Sequence, residues 1–338
     1  MSIVVGMDCK SARSGVKSTR GNNHRTKLNL VIKKTIDETF NDKNDDLNRE
    51  ILYLRNTTHC VVNGKQNISM SEAVGTYNYI DEYLDELRSK GRYAFTLDEL
   101  KERFNVSDKA LNQNMYRVKL KKKAVQVRKG FYTLLPAEYS RQGIIPVNMF
   151  IDDMMKALGK KYYVGLISAA AIHGAGHQQP METFIITERP ALRNIRNKKL
   201  KLNFFIKNEW NQEEINEVKT EAGYMNVSSP ELTALDLLYY AESIGMNRII
   251  TILEELAEVI KPSNLKKIAK GYSQTAAIQR LGYLLEVELE NEKLGEILYR
   301  IIADKMGVNI PLMPGKEKKG EIDTKWKIIR NVEIESDL

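Results

Sequence analysis

An α+β fold is predicted by three features of the chain. From Lys109 to Gly130 it holds eight basic residues and no acidic one, and a segment reading helix, tight turn, helix, hairpin runs up to and through that stretch. Beyond Pro146, strand-like segments mix with helical ones. The C-terminal part then settles into successive amphipathic helices. Together these predict an N-terminal winged helix-turn-helix followed by a mixed α/β domain with a small sheet and a helical C-terminal array.

Composition sets the outer limits. With 338 residues, 42% hydrophobic and 28% charged, the chain reads as soluble and globular, with room for two or three domains. A formal net charge of +8 favours an anionic partner. No apolar run approaches the roughly 18–20 residues of a membrane span, and MSIVVGMDCKSARSGVKSTR has too short an apolar patch for a secretory signal. The two cysteines, Cys9 and Cys60, supply neither a CxxC metal site nor a disulfide framework. A reducing cytoplasm is the expected setting, and no cofactor is expected.

Residues 1–69 differ from the rest, with twelve Lys/Arg against seven Asp/Glu and little periodicity. They read as a disordered basic extension with short helices at Lys27–Asp37 and Asp46–Arg55. Patterned sequence begins just after Met70, which reads as an alternative start.

Residues 76–135 carry the winged helix-turn-helix. Tyr79, Ile80, Tyr83, Leu84 and Leu87 recur at helical spacing, giving a first helix that stops at Lys90-Gly91. Thr96 caps the second helix, and Glu99 stands at capping-box distance. Leu97, Leu100 and Phe104 form its inner face. Asn105-Val106-Ser107 supplies the turn, with Ser107 or Asp108 capping the third helix. There Ala110, Leu111, Met115 and Val118 face inward, leaving Lys109, Asn112, Gln113, Asn114, Tyr116 and Arg117 outward. Val125, Val127, Phe131 and Tyr132 flank Lys129-Gly130, a hairpin turn.

Residues 136–146 read as a linker and 147–338 as the second domain. Helices are expected over Val147–Leu158 and Tyr162–His173, followed by strands at METFIITE, LNFFIKN and GYMNVSS. Ser229, Pro230 and Glu231 suit the N-cap, first position and first turn of the next helix. Ile249–Ile260, Leu265–Lys270, Gln274–Glu290 and Leu294–Met306 complete the helical array.

The third helix offers the clearest chemistry. In a major groove, Asn and Gln pair bidentately with adenine, and Arg or Lys with guanine. Asn112, Gln113, Asn114 and Arg117 are therefore the candidate base readers. Lys121, Lys122, Lys123, Arg128 and Lys129 suit phosphate, since an ammonium on a flexible stem acts as a point charge; Lys109 and Lys119 complete the DNA-binding set. The competing reading is a solvated charged helix in a protein-binding module, and the missing acids weigh against it.

Other candidates carry less. His173 and His177 stand four apart, but Gly174 and Gly176 interrupt any helix between them, and no HExxH or CxxC pattern is present. A structural turn without metal is expected. Asp236, in the apolar run TALDLLYY, reads either as a functional carboxylate or as one paired inside its domain. Pairing is favoured, with Arg280 as the expected partner, because an unpaired buried charge is costly. No catalytic constellation is visible, so no enzyme activity is expected.

Taken together, YYVGLISAAAIHGAGHQQP, GYMNVSSPELTALDLLYY, IQRLGYLLE and the closing WKIIRNVEIESD resemble the AbiEi family of antitoxins from bacterial abortive-infection (phage-defence) systems. The likeness spans roughly Tyr77–Leu338 and leaves residues 1–69 outside. It implies a winged helix joined to a C-terminal antitoxin domain in a type IV toxin–antitoxin operon. It also implies repression of the protein's own promoter at inverted repeats. The functional partner would be a nucleotidyltransferase-like toxin, opposed without a stable complex. Two other classes stay open. One is an ordinary regulator with a ligand- or partner-sensing C-terminal domain. The other, least favoured, is a nuclease or nucleotidyltransferase, for which MNVSSPELTALD offers only Glu231 and Asp236, both expected on a helix.

Overall fold

A computed structural model describes residues 78–176 and 180–334; the expected extension 1–69 with its two short helices, and His177, lie outside the described residues. Those described form a mixed α/β structure with eleven α-helices and three small sheets.

The first helix, α1 (Asn78–Ser89), buries Ile80, Tyr83, Leu84 and Leu87. It ends as expected at Lys90-Gly91, where Gly91 turns left-handed (φ +69). Strand β1 (Ala94–Thr96) leads into α2 (Leu97–Phe104). Thr96 caps α2 by accepting the Glu99 N–H at 3.1 Å. Glu99 does not return the bond across the box. Its carboxylate accepts from Tyr83 Oη at 3.1 Å and Arg92 Nη2 at 2.7 Å, the latter a charge-assisted bond stronger than one to a neutral amide. Burial, and next the Glu99 carboxylate, push the Tyr83 phenol up to about 12.

Asn105 closes α2 in the left-handed region (φ 45), and Ser107 caps α3 (Asp108–Leu120) by accepting the Ala110 N–H. Leu111, Met115 and Val118 are buried along α3, while Ala110 is half-buried. Strands β2 (Ala124–Arg128) and β3 (Phe131–Leu134) form the expected hairpin around Lys129-Gly130, with Gly130 at φ +78. β1 pairs with the other edge of β3, giving an antiparallel β1-β3-β2 sheet.

Residues 136–146, expected as a linker, are packed. A 3-10 turn covers Ala137–Tyr139, and Ile145 is 1% exposed. Gly143 is buried at φ +68, with Lys199 Nζ 2.0 Å from where its Cβ would stand. One apolar cluster takes Ala94, Val127 and Phe131 from the three-helix module and Ile145, Met149, Phe150 and Met154 from the segment that follows. Arg92 Nε lies 3.7 Å from Asp153 across the same seam. The module and its neighbour share a core.

The helix expected over Val147–Leu158 opens as a 3-10 turn, Val147–Met149, and continues as α4 (Ile151–Ala157). The one expected over Tyr162–His173 divides. Tyr162–Val164 is strand β4, and only Leu166–Ile172 is helical, as α5. Two aromatics and a β-branched residue suit a strand buried on both faces, yet the apolar run continues unbroken past Gly165 and so imitates helix. Strands β5 (Thr183–Thr187), β6 (Ile195–Arg196), β7 (Lys201–Ile206), β8 (Ile215–Thr220) and β9 (Gly223–Ser228) complete a six-stranded mixed sheet ordered β6-β7-β5-β4-β9-β8. β4 sits inside it, antiparallel to β5 and parallel to β9.

Ser229 then caps α6 (Pro230–Tyr239), accepting the Leu232 N–H at 3.2 Å. Helices α7 (Ala241–Ile244), α8 (Met246–Val259), α9 (Pro262–Gly271), α10 (Thr275–Tyr283) and α11 (Glu292–Ile302) form the array. The helix expected over Gln274–Glu290 passes after Tyr283 into a π-helical turn, Leu284–Glu288. A small closing sheet, unforeseen from sequence, joins β10 (Ile310–Pro311), β11 (Glu321–Asp323) and β12 (Ile328–Arg330) in the order β10-β12-β11.

Trp326 ties this sheet to the array. It is fully buried, and a Cβ on Gly282 would stand 2.0 Å from its Cη2. Gln279 Nε2 donates to the Trp326 carbonyl at 2.7 Å. The glycine in IQRLGYLLE is thus required by the indole of WKII. Gly282→Ala is expected to cost about 1–3 kcal/mol through overpacking, read as a lower melting temperature; an unchanged melt would show that the indole moves aside freely.

Candidate nucleic-acid interface

Because Leu111, Met115 and Val118 commit one side of α3 to the core, the opposite side is left to solvent. There Lys109, Asn112, Gln113, Tyr116 and Arg117 line one open concavity. Tyr116 and Leu120 are among the most exposed large apolar side chains, at 60% and 65%. Asn114 departs from the outward set. Its Nδ2 donates to Tyr79 Oη at 2.7 Å, which makes it part of the α1–α3 contact, since the helical turn brings it over α1.

The basic turn after α3 is acid-free in sequence but not in space. Asp81, on α1, lies 3.0 Å from Lys123 and 4.0 Å from Lys121. Lys122, between them, takes φ +54 and is exposed. Lys119 is half-buried, and Lys129 is exposed at the hairpin tip. Arg128 is half-buried, and its Nη1 is enclosed without a hydrogen-bond acceptor among the described residues. That nitrogen is closed to solvent, which sets Arg128 apart from the exposed Lys122 and Lys129.

A second basic stretch escaped the sequence reading. Arg189, Arg193, Arg196, Lys198, Lys199, Lys201 and Lys207 follow one another without an intervening acid, and all but Lys207 are exposed. The tight turn between β6 and β7 is fixed by Asn197 Oδ1, which accepts the Lys199 and Leu200 N–H groups at 2.9 and 2.8 Å. Lys201 pairs with Glu182 at 3.2 Å. Scanning for acid-free runs would have found it, as it found Lys109–Gly130.

Asp236 is paired, though not by Arg280. Its carboxylate, fully buried, accepts from Lys207 Nζ at 2.6 Å, Tyr163 Oη at 2.6 Å and Tyr272 Oη at 2.7 Å. Burial first, and then this carboxylate, hold both phenols well above their ordinary pKa. Arg280 instead donates Nε to the Pro311 carbonyl at 3.0 Å. Sequence could not separate the two cations: α10 turns Arg280 toward the closing sheet, whereas the end of β7 delivers Lys207 to α6.

His173 Nε2 meets the Ser228 carbonyl at 2.7 Å, so that nitrogen carries the proton. The Gly176 N–H donates to the Glu255 carboxylate. Both contacts are those of a structural turn. Beside His173 opens a polar cleft of about 330 Å³ lined by Glu213, Glu214, Glu231, Lys261 and Lys267. Its charges are largely engaged: Lys267 pairs with Glu213, and the Lys261 N–H donates to Glu231 Oε1 at 2.8 Å. Among the described residues no three His, Cys, Asp or Glu side chains gather as metal ligands would.

Residues 163–287, from β4 through the π-helical turn, match the AbiEi antitoxin C-terminal domain family. No curated protein matches the chain. Among solved structures, the crystal structure of the RV2827C protein from Mycobacterium tuberculosis aligns with 75% of this chain and 90% of that one, at 15% identity and a TM-score of 0.54. At that identity the likeness is one of fold.

Proposed function

With residues 163–287 placing the chain in the AbiEi antitoxin family, we propose that it is a DNA-binding antitoxin that represses its own operon at inverted repeats and opposes a nucleotidyltransferase-like toxin without a stable complex. Residues 78–135 are read as a winged helix-turn-helix, since they run helix, strand, helix, helix, hairpin. The observation that carries the DNA reading is the outer face of α3. Asn112, Gln113 and Arg117 stand there together beside Lys109, with base-reading groups on a helix and cations around it. Lys122 and Lys129 serve as phosphate contacts, and Asn114 is assigned to packing. The antitoxin surface belongs to residues 163–287. Among the described residues no helix is long and apolar enough to cross a membrane, and the proposed setting is the cytoplasm.

Binding to duplexes of the upstream region and of random sequence, titrated across a salt series, tests this reading. Arg117→Ala and Asn112→Ala should each reduce the preference for operator by about 1–3 kcal/mol, the worth of one bidentate base contact. Lys122→Ala should weaken both duplexes alike and flatten the log–log salt slope by roughly one unit. If Arg117→Ala and Asn112→Ala lowered both affinities equally, the reading role of α3 would be lost.

A further inference from the structure

The turn from α3 into β2 puts three lysines in a row, and among the described residues Asp81 reaches two of them from outside the run. Asp81 stands in the first turn of α1 and pairs with Lys121 and Lys123, which flank the exposed, left-handed Lys122. Asp81 also lines a small cleft with Asn114, Arg117 and Lys121, so it borders the proposed reading face. An acid in the first turn of a helix favours the helix dipole wherever it lies around the turn. That role does not require an ammonium 3.0 Å away and forty-two positions along the chain.

We infer that Asp81 competes with DNA phosphate for Lys121 and Lys123, holding both partly neutralised until a duplex takes its place. This rests on the DNA-binding reading above. The lysine side of each pair is open to displacement: the side chains are 52% exposed for Lys121 and 44% for Lys123, against 24% for Asp81, and ion pairs made by solvent-exposed lysines contribute little and exchange readily. A phosphate carries the same charge as the carboxylate and brings counterion release with it, which the internal pair does not. After displacement Asp81 remains within a Debye length of the backbone (about 10 Å at 0.1 M salt) and still repels it. The protein therefore binds duplex less tightly than its lysine count would give, and binding is more reversible as a result.

The test is fluorescence anisotropy of labelled operator and random duplexes with full-length wild type, Asp81→Asn and Asp81→Ser, each repeated in a Lys121→Ala/Lys123→Ala background. Both Asp81 variants should bind both duplexes several-fold tighter near 0.1 M salt, with a slope steeper by about one unit. At least half of that gain should disappear in the double-alanine background, while the operator preference stays constant. Unchanged or weaker binding by the Asp81 variants overturns the inference, as does a gain that persists in full without the two lysines. Wild-type protein that binds no duplex at all overturns the DNA-binding reading instead, so the two failures are told apart.

Discussion

Asp236→Ala is expected to destabilise the protein by about 3–5 kcal/mol, because removing one partner leaves Lys207 and two phenols around a dry, uncompensated hole. For an ordered unit of this size that corresponds to a fall of roughly 6–20 °C in melting temperature. Lys207 is 12% exposed at its side chain and can recover part of its hydration, which places the expected loss toward the lower half of the range. Asp236→Asn keeps one acceptor oxygen for a phenol and should lose less. Arg280→Met, which removes a single bond to a carbonyl, should also lose less than Asp236→Ala. The carboxylate, on α6, ties Tyr163 of β4 to Lys207 just past β7 and Tyr272 just past α9, so any loss of rescue activity should follow the melt. A melt lowered by less than about 2 °C would show that the network is decorative and that the site tolerates an empty acceptor.

What the sequence made legible is what local chemistry alone decides. Thr96, Ser107 and Ser229 cap their helices as read, each accepting an N–H three residues on, and Lys129-Gly130 turns the hairpin. These depend on neighbours within one turn. The failures begin where a distant group competes. Glu99 has the spacing to complete a capping box, yet Arg92 and Tyr83 take its carboxylate. Asn114 has the periodicity of an outward residue, yet Tyr79 captures it. β4 is only three residues long, and its apolar run merges with α5, so the period that separates strand from helix never has room to show. The identity of the Asp236 partner was out of reach for a similar reason: Lys207 and Arg280 differ in which element aims them, and aim is a property of the assembled fold. The basic face followed the same division. Its charge was readable in the composition, but the pairing of Lys121 and Lys123 with Asp81 was not.

Full-length protein carrying Asn112→Ala and Arg117→Ala together is expected to lose promoter repression while still rescuing cells that express the cognate toxin. The reason is where the two side chains sit. Both side chains lie on the outer face of α3, far in sequence from residues 163–287, and neither belongs to an apolar core cluster. Truncation is the poorer instrument. A fragment beginning at Gly143 would strip Ala94, Val127 and Phe131 from the cluster that contains Ile145, Met149, Phe150 and Met154. It would also leave Asp153, whose pKa burial already raises, without Arg92. Fully uncovering a buried isoleucine, methionine or phenylalanine costs about 1.5–3 kcal/mol each, so the fragment should melt several degrees lower than the whole chain and rescue weakly for that reason alone. A reporter for the promoter and a co-expression growth assay, run on the double variant and the fragment side by side, separate the cases. Rescue by the double variant with repression abolished would mean that antitoxin action does not run through operator reading. Loss of rescue in the double variant, at unchanged melting temperature, would mean that it does, and the assignment of the two activities to separate surfaces would fall.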